Sequence, residues 1–401
     1  MSSADFLQGQ KLKRDLFMEP PAERQEKGKL WRLVKSTYGL MDASRQFYLA
    51  VKKELEALEM KRCREDEAVF YLHKNNTLQG LLTLHVDDIG AAGNQYFQSN
   101  ILDKLTKKFT FGKVSKRNFK YTGLQIHQKE DFSIMVNQND YISEMDEIVS
   151  IPDGKQEEAL EKKQLKTYRR AVGQIAWAQS STRPDLSFKH LEMSTKMHSA
   201  TISDLKSAKK TIKFAKSKDV EVTFKHLGPW ENLHLEVYSD AGFRQMEEKN
   251  KSVGANVVFL CNEKLEANVL HWSTRTIKKV CTTVKTAETF ACDKAIQDGL
   301  STARLLNELY TGKKTLDHLP VQIYIDSKAL KDSIESTKQI EDKNIRPYIA
   351  AFKQNLEDGD IDSFHHVRTK EMYADLLTKP GVNSDFLLEA IRSGHIQRTQ
   401  L

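Results

Sequence analysis

Apolar residues recur with two different periods along this chain, and the changes of period mark its elements. Between Leu40 and Leu58 the apolar positions are Phe47, Ala50, Val51, Leu55 and Leu58, spaced three and four apart, which predicts an amphipathic helix. Ala68–Leu72 and Leu81–Val86 are apolar runs of strand length, and Asn75-Asn76 between them supplies turn residues, so together they read as a hairpin. The second run breaks abruptly on Asp87 and Asp88 before Ile89-Gly90, as expected of a buried strand ending in a tight turn. A further helix is expected from about Tyr96 to Phe109. The first 28 or so residues are polar and irregular, with Pro20-Pro21 ending any helix begun earlier. Residues 151–165 form a polar linker. Beyond it lie two helices split at Arg183-Pro184, then a helix over Lys206–Lys218 carrying six lysines.

From Leu233 the pattern becomes short strands followed by a long helix: strands over 233–239, 253–260 and 269–273, a helix over 284–310, and a strand over 321–325. Such an order predicts an α/β sheet of mixed direction. Carboxylates stand at its element ends. Asp240 closes the first strand, Glu288 falls in the first turn of the long helix, Asp326 closes the fourth strand, and Asp375 opens the last helical segment. Taken singly, each is a polar end of its element, and periodicity alone does not bring the four together. The Asp87-Asp88 pair is a different case, because two adjacent carboxylates are costly to bury without a compensating charge. The end of their strand therefore meets either open solvent or a bound metal.

Composition narrows the picture. A length of 401 residues suits two or three domains, and 39% hydrophobic with 29% charged residues suits a globular chain. No apolar run approaches the roughly 18 residues of a membrane span, and no secretory signal is present, so the expected location is intracellular, cytoplasmic or nuclear. Cys63, Cys261, Cys281 and Cys292 are scattered without a Cys-x-x-Cys pair, which points to reduced thiols and to neither a zinc site nor disulfides. The net charge of +7 permits a polyanionic partner. Cations interleave with aromatics over Lys104–Lys120, and the Lys206–Lys218 helix is the strongest basic stripe. Both suit a phosphate backbone; the first reads equally well as a solvated face, and for the second a solvated face is the alternative.

Segments Lys29–Leu40, Arg45–Tyr48, His85-Val86-Asp87-Asp88 and Phe119–Ile126 resemble, in that order, the reverse transcriptase of Ty1/copia-type retrotransposons. Tyr168–Trp177 and Ser181–Phe188 resemble that family's connection. Tyr238-Ser239-Asp240-Ala241, Lys251–Gly254, His271-Trp272-Ser273, Thr286-Ala287-Glu288, Tyr324–Ser327 and Ala374–Lys379 resemble the ribonuclease H domain of its Pol polyproteins. The resemblance implies α/β and α+β architecture: a partial reverse-transcriptase palm and connection followed by a ribonuclease H-like mixed sheet. Its implied domains are residues 1–150 (late palm and thumb-like part), 151–231 (linker and helical connection), 232–380 (nuclease) and 381–401 (tail). It further implies metal-binding polymerase positions at Asp87 and Asp88 and a nuclease metal set of Asp240, Glu288, Asp326 and Asp375. Magnesium is the expected ion and manganese a substitute. The implied partner is an RNA/DNA hybrid, with no membrane, and other Pol chains are candidate associates. His271, His365 and His366 read as structural, His366 having the better claim to a part in product release.

The chain departs from the family in three places. Phe6-Leu7-Gln8-Gly9 puts the family's first polymerase aspartate at Met1, and Asp5 has the wrong spacing to replace it. Asp42 and Ser44 stand where Gln and Pro are usual in the nucleotide pocket. Gly242-Phe243 replaces the Asp-Trp commonly found after the first nuclease aspartate, which is expected to loosen that site. The nuclease is thus the most intact activity. The rival readings are an inactive remnant that binds nucleic acid and a polymerase that needs a missing front half.

Overall fold

The computed structural model describes residues 12, 14–26, 28–35, 37, 40–246, 251–313 and 319–398. Met1, Asp5 and the Phe6–Gly9 segment lie outside the described residues. The chain forms two compact units, one of residues 1–116 with 304–315 and the other of residues 117–303 with 316–401. Among the described residues, no helix is long and apolar enough to cross a membrane.

In the first unit, β1 (Phe17–Met18) and β2 (Trp31–Arg32) pair as a short antiparallel ribbon. Helix α1 (Ala43–Ala57) buries Phe47, Val51 and Leu55 of the predicted stripe together with Ala43, while Ala50 and Leu58 are half-buried against the same core. That stripe shares one core with Phe70, Leu72, Leu82 and Leu84 of an antiparallel sheet: β3 (Lys61–Arg62), β4 (Val69–Lys74), β5 (Thr77–His85) and β6 (Asp88–Gly93). The β4–β5 turn falls on Asn75 and Asn76, both in the left-handed region with φ of 52° and 60°, which Asn tolerates better than most residues. The expected helix over 96–109 is interrupted: α2 (Gln95–Phe97) passes through a π turn (Gln98–Leu102) into α3 (Asp103–Lys108). Its buried residues Phe97, Ile101 and Leu105 recur at a strict four-residue step, longer than the 3.6-residue α period, and the wider turn keeps them in line on the core. Gly80 and Gly93 are paired across β5 and β6, and a Cβ on either would lie 2.4 or 2.5 Å from the Phe97 ring.

The second unit begins with a sheet of order β10-β9-β8-β7, built from β7 (Asn118–Tyr121), β8 (Leu124–Gln128), β9 (Ile134–Asn137) and a later strand. Between them come α4 (Asn139–Ser143), α5 (Lys162–Ser181), α6 (Ser187–Thr195) and α7 (Ile202–Lys216), after which β10 (Glu221–Phe224) closes the sheet against β9. The break between α5 and α6 falls at Arg183-Pro184, as expected. Arg183 is fully buried, makes a two-pronged bond to Asp185 at 2.9 and 2.8 Å, and donates to the Ala215 carbonyl at 2.7 Å, so the break is tied to the end of α7.

The mixed sheet follows: β11 (Leu233–Met246), β12 (Lys251–Asn262), β13 (Ala267–Thr276), helix α8 (Val284–Thr311), β14 (Val321–Ile325), α9 (Lys328–Glu335), α10 (Arg346–Glu357), β15 (Ser363–His366) and α11 (Asp385–Ser393). The strand order is β13-β12-β11-β14-β15, with the first three antiparallel and β11, β14 and β15 parallel. The α/β sheet of mixed direction expected from the strand and helix pattern is present. β12 and β13 run two to three residues beyond their expected bounds at each end, and β11 does not end at Asp240. Pairing with β12 continues through Ala241↔Gly254 and Gly242↔Val253 to Met246, while β14 stops opposite Ser239. Glu288 is the fifth residue of α8, one turn further in than expected.

Helix α8 covers one face of this sheet. It approaches closely at Gly299, where a Cβ would sit 2.7 Å from Val237 Cγ2, whereas Gly173 in α5 has nothing within 4 Å of the same position. Replacing Gly299 with Ala is expected to destabilise the chain by about 1–3 kcal/mol through overpacking, despite the gain in helix propensity. Gly173→Ala is expected to stabilise it by roughly 0.5–1 kcal/mol. Urea denaturation of the two variants checks the opposite signs.

Candidate active site

Parallel pairing of β11 with β14 brings Ser239 opposite Ile325, so the next residues, Asp240 and Asp326, emerge side by side. Asp240 stays in the sheet while Asp326 stands just past the end of β14. Glu288 of α8 completes the group. One carboxylate oxygen from each of Asp240, Glu288 and Asp326 lies within 4.8 Å of the other two. Asp240 is 1% exposed and Glu288 4% exposed. Asp326 is held by its neighbours, its Oδ2 accepting from Thr369 Oγ1 at 3.0 Å and its carbonyl lying 3.1 Å from His366 Nε2.

The fourth expected carboxylate reaches the cluster through a cation. Asp375 opens a single helical turn (Asp375–Leu377), and Lys379 Nζ bonds to its Oδ1 while lying 3.8 Å from Asp240 Oδ2. Thr378 Oγ1 donates to Asp240 Oδ2. The Asp375–Lys379 turn packs directly on β11 because position 242 is glycine: a Cβ there would stand 2.5 Å from the Thr378 carbonyl oxygen. The departure from the family at Gly242-Phe243 therefore admits a close backbone approach. Thr378 and Lys379 lie within the resembling segment Ala374–Lys379, but neither was expected to take part in the site. The local signal was a lysine four residues after Asp375, the spacing at which side chains on one turn meet.

Like charges in a dry place resist ionisation. Burial pushes the Asp240 carboxyl up to about 6, against the opposing pull of Lys379 and Thr378, and Asp326 and Asp375 add to the rise. Burial also raises Glu288 well above the usual carboxylate range, with Asp240 and Asp326 pushing the same way. The cluster is thus short of positive charge by its own construction.

Asp87 and Asp88 are placed differently, in the first unit. Asp87 lies in the turn after β5, preceded by Val86 at φ 57°, and Asp88 opens β6 opposite His85. Both are half-buried. Among the described residues they join no third His, Cys, Asp or Glu in a group able to hold a metal. Of the histidines, His365 stacks on Tyr324 at 4.9 Å and bonds to Ser363 Oγ, and His271 stands 3.7 Å from Asp298.

Because Asp240 titrates higher in the folded chain than unfolded, the folded state binds more protons between pH 4 and pH 6. Its contribution to stability therefore falls as pH rises through that window. In the absence of metal, Asp240→Asn is expected to be more stable than the unsubstituted chain at pH 7 by about 1–3 kcal/mol, with the advantage vanishing below pH 4. Chemical denaturation in EDTA at several pH values tests this.

Comparison with known proteins agrees with the resemblance seen in the sequence. Residues 1–156 match the family described as reverse transcriptase (RNA-dependent DNA polymerase). The retrovirus-related Pol polyprotein from transposon RE1 of Arabidopsis thaliana is 24% identical over 391 residues, covering 94% of this chain. This chain spans only 26% of that protein's length. The putative transposon Ty5-1 protein of Saccharomyces cerevisiae is 23% identical over 265 residues, 63% of this chain and 83% of its own. Among solved structures, the ribonuclease H1 of the halophilic archaeon Halobacterium salinarum matches 36% of this chain and 94% of its own at 18% identity and a TM-score of 0.27. Prototype foamy virus protease-reverse transcriptase matches 86% of this chain and 40% of its own at 11% identity and a TM-score of 0.23.

Proposed function

This chain is similar to copia-type retrotransposon Pol polyproteins over nearly its whole length, and we propose that its nuclease half is a metal-dependent endonuclease that cuts the RNA strand of an RNA/DNA hybrid. The observation that carries this reading is the meeting of Asp240, Glu288 and Asp326 within 4.8 Å. The donor set fits hard divalent cations: the ligands are all carboxylate oxygens, and the raised proton affinities of Asp240 and Glu288 mark a site that gains from added positive charge. Asp240, Glu288 and Asp326 would hold Mg²⁺ or Mn²⁺, with Asp375 the peripheral ligand. When bound, such ions activate water and stabilise the leaving oxygen of an in-line phosphodiester displacement.

The protein's own groups do the rest. Thr369 and His366 fix Asp326, Thr378 fixes Asp240, and Lys379 balances Asp240 and Asp375 until a stronger cation takes that role. The 2′-hydroxyl is what would distinguish the RNA strand from DNA. On this reading residues 1–150 are the late palm, 151–231 the connection and 232–380 the nuclease.

Mg²⁺- or Mn²⁺-dependent cleavage of a labelled hybrid is expected. Asp240→Asn and Asp326→Asn are expected to lower the rate by at least about 100-fold with the fold intact, and Asp375→Asn to lower it less. An intact hybrid with either metal, together with no calorimetric Mn²⁺ binding that Asp240→Asn abolishes, would reject the nuclease in favour of a binding remnant.

The basic helix α7 supports nucleic-acid binding in a restricted way. Lys209 donates to the Val149 carbonyl at 3.0 Å and Lys216 pairs with Glu147 at 3.3 Å, and just beyond the helix Lys218 pairs with Asp385 at 2.6 Å. Lys206, Lys210 and Lys213 are exposed at steps of four and three, so they form a single stripe. Replacing these three with Ala is expected to reduce the slope of log affinity against log salt by about 2–3. An unchanged slope would make α7 a solvated face.

A further inference from the structure

A second acidic residue is buried on β11, and it carries no part of the proposed chemistry. Glu236 is 0% exposed, and both of its oxygens are engaged: Oε2 accepts from the Tyr238 hydroxyl at 2.7 Å, and Oε1 lies 3.1 Å from Arg398 Nη1 and 3.2 Å from His234 Nε2. With His234 and Cys261 it forms a second group close enough to hold a metal, but the guanidinium of Arg398 already supplies the positive charge there. The same Arg398 nitrogen donates to the Tyr324 hydroxyl of β14, and its guanidinium lies 5.2 Å from the Tyr324 ring centre. One side chain thus touches both β11 and β14.

The segment that brings Arg398 there is itself built in. Ile396 is fully buried and bonds through its amide to the Leu265 carbonyl at 2.9 Å. The Gln397 amide donates to the Tyr373 hydroxyl at 2.7 Å. Strand alternation places Glu236, Tyr238 and Asp240 on one face of β11 and Tyr324 and Asp326 on the matching face of β14. Tyr238 and Tyr324 stack at 4.8 Å between the two levels. The order along this face is therefore Arg398 and Glu236, then the tyrosine stack, then Asp240 and Asp326.

We infer that Arg398 is a positioning residue for the acidic cluster: by bonding Glu236 on β11 and Tyr324 on β14 it clamps the two strands that set the separation of Asp240 and Asp326. The inference rests on the metal-site reading for its consequence, but not for the clamp itself. Without the guanidinium, Glu236 is a buried carboxylate with no full positive charge, and the strands have reason to part so that water can reach it.

The test uses the full chain with Arg398→Ala and Arg398→Lys, read in two ways. Amide hydrogen exchange in metal-free protein is expected to speed up at Ser239–Ala241 and Ile325–Asp326 by at least about tenfold more than at Trp272–Thr274 of β13 in Arg398→Ala. Added methylguanidinium at millimolar concentration should reverse the change. Titration with Mn²⁺ should show affinity reduced by about tenfold or more in Arg398→Ala and by less in Arg398→Lys. A uniform loss of protection across the sheet, unaffected by methylguanidinium and with Mn²⁺ affinity unchanged, would overturn the inference and leave Arg398 as ordinary packing. If the unsubstituted chain binds no Mn²⁺, the metal-site reading fails, and the exchange pattern alone still decides the clamp.

Discussion

Three carboxylates held within 4.8 Å of one another, two of them buried, set the terms for the structure around them. Such a group is unfavourable by itself, because each ionised member raises the proton affinity of the others. The surrounding chain tempers this repulsion without cancelling it. Lys379 sits near Asp240 and Asp375, Thr378 bonds Asp240, and Thr369 bonds Asp326, yet Glu288 and Asp240 still hold their protons more tightly than ordinary carboxyls. Under the proposed function, full compensation by protein cations would remove the attraction for a divalent ion, whereas a partly compensated cluster would keep both its fold and that attraction.

The contrast with Glu236 shows that the chain can neutralise a buried acid on the same strand. Four residues earlier on the same strand and facing the same side, that carboxylate has Arg398, Tyr238 and His234 around it and no acidic neighbour in the group. One strand therefore carries a closed charge system and an open one, separated by a layer of stacked tyrosines. The difference lies in what β11 meets along its length: aromatic core and the 395–398 segment beside Glu236, and beside Asp240 the point where β14 stops.

Where the sequence was legible, local signals were strong. Strand β14 matches its expected bounds because an apolar run sits between Pro320 and Asp326, and α1 matches because its core stripe repeats at helical spacing. The continuation of β11 past Asp240 was hidden by Ala-Gly-Phe-Arg-Gln, which has no clear alternation, and only pairing with β12 extends it. Strand β10 went unread for a similar reason, since its four residues become a strand by joining β9 across some 80 residues of intervening helices. At the candidate site, the carboxylates were visible through resemblance, while Lys379 and Arg398 were not. Their roles come from contacts that span 139 and 162 positions, and no local pattern announces these.

The notch formed by Gly80 and Gly93 has a consequence for the hairpin that bears Asp87 and Asp88. Because the Phe97 ring occupies the space where both glycines lack a Cβ, the two strands can meet only with these two positions opposite each other. A slip by one residue would press Gln79 or Leu81 on one strand, or Ala92 on the other, into the ring. The ring therefore works as a ratchet pawl at the open end of the hairpin, and it fixes from a distance which residues form the turn at the other end. Substitutions within the turn can alter its charge, but they cannot shift its place along the chain while the pawl is seated.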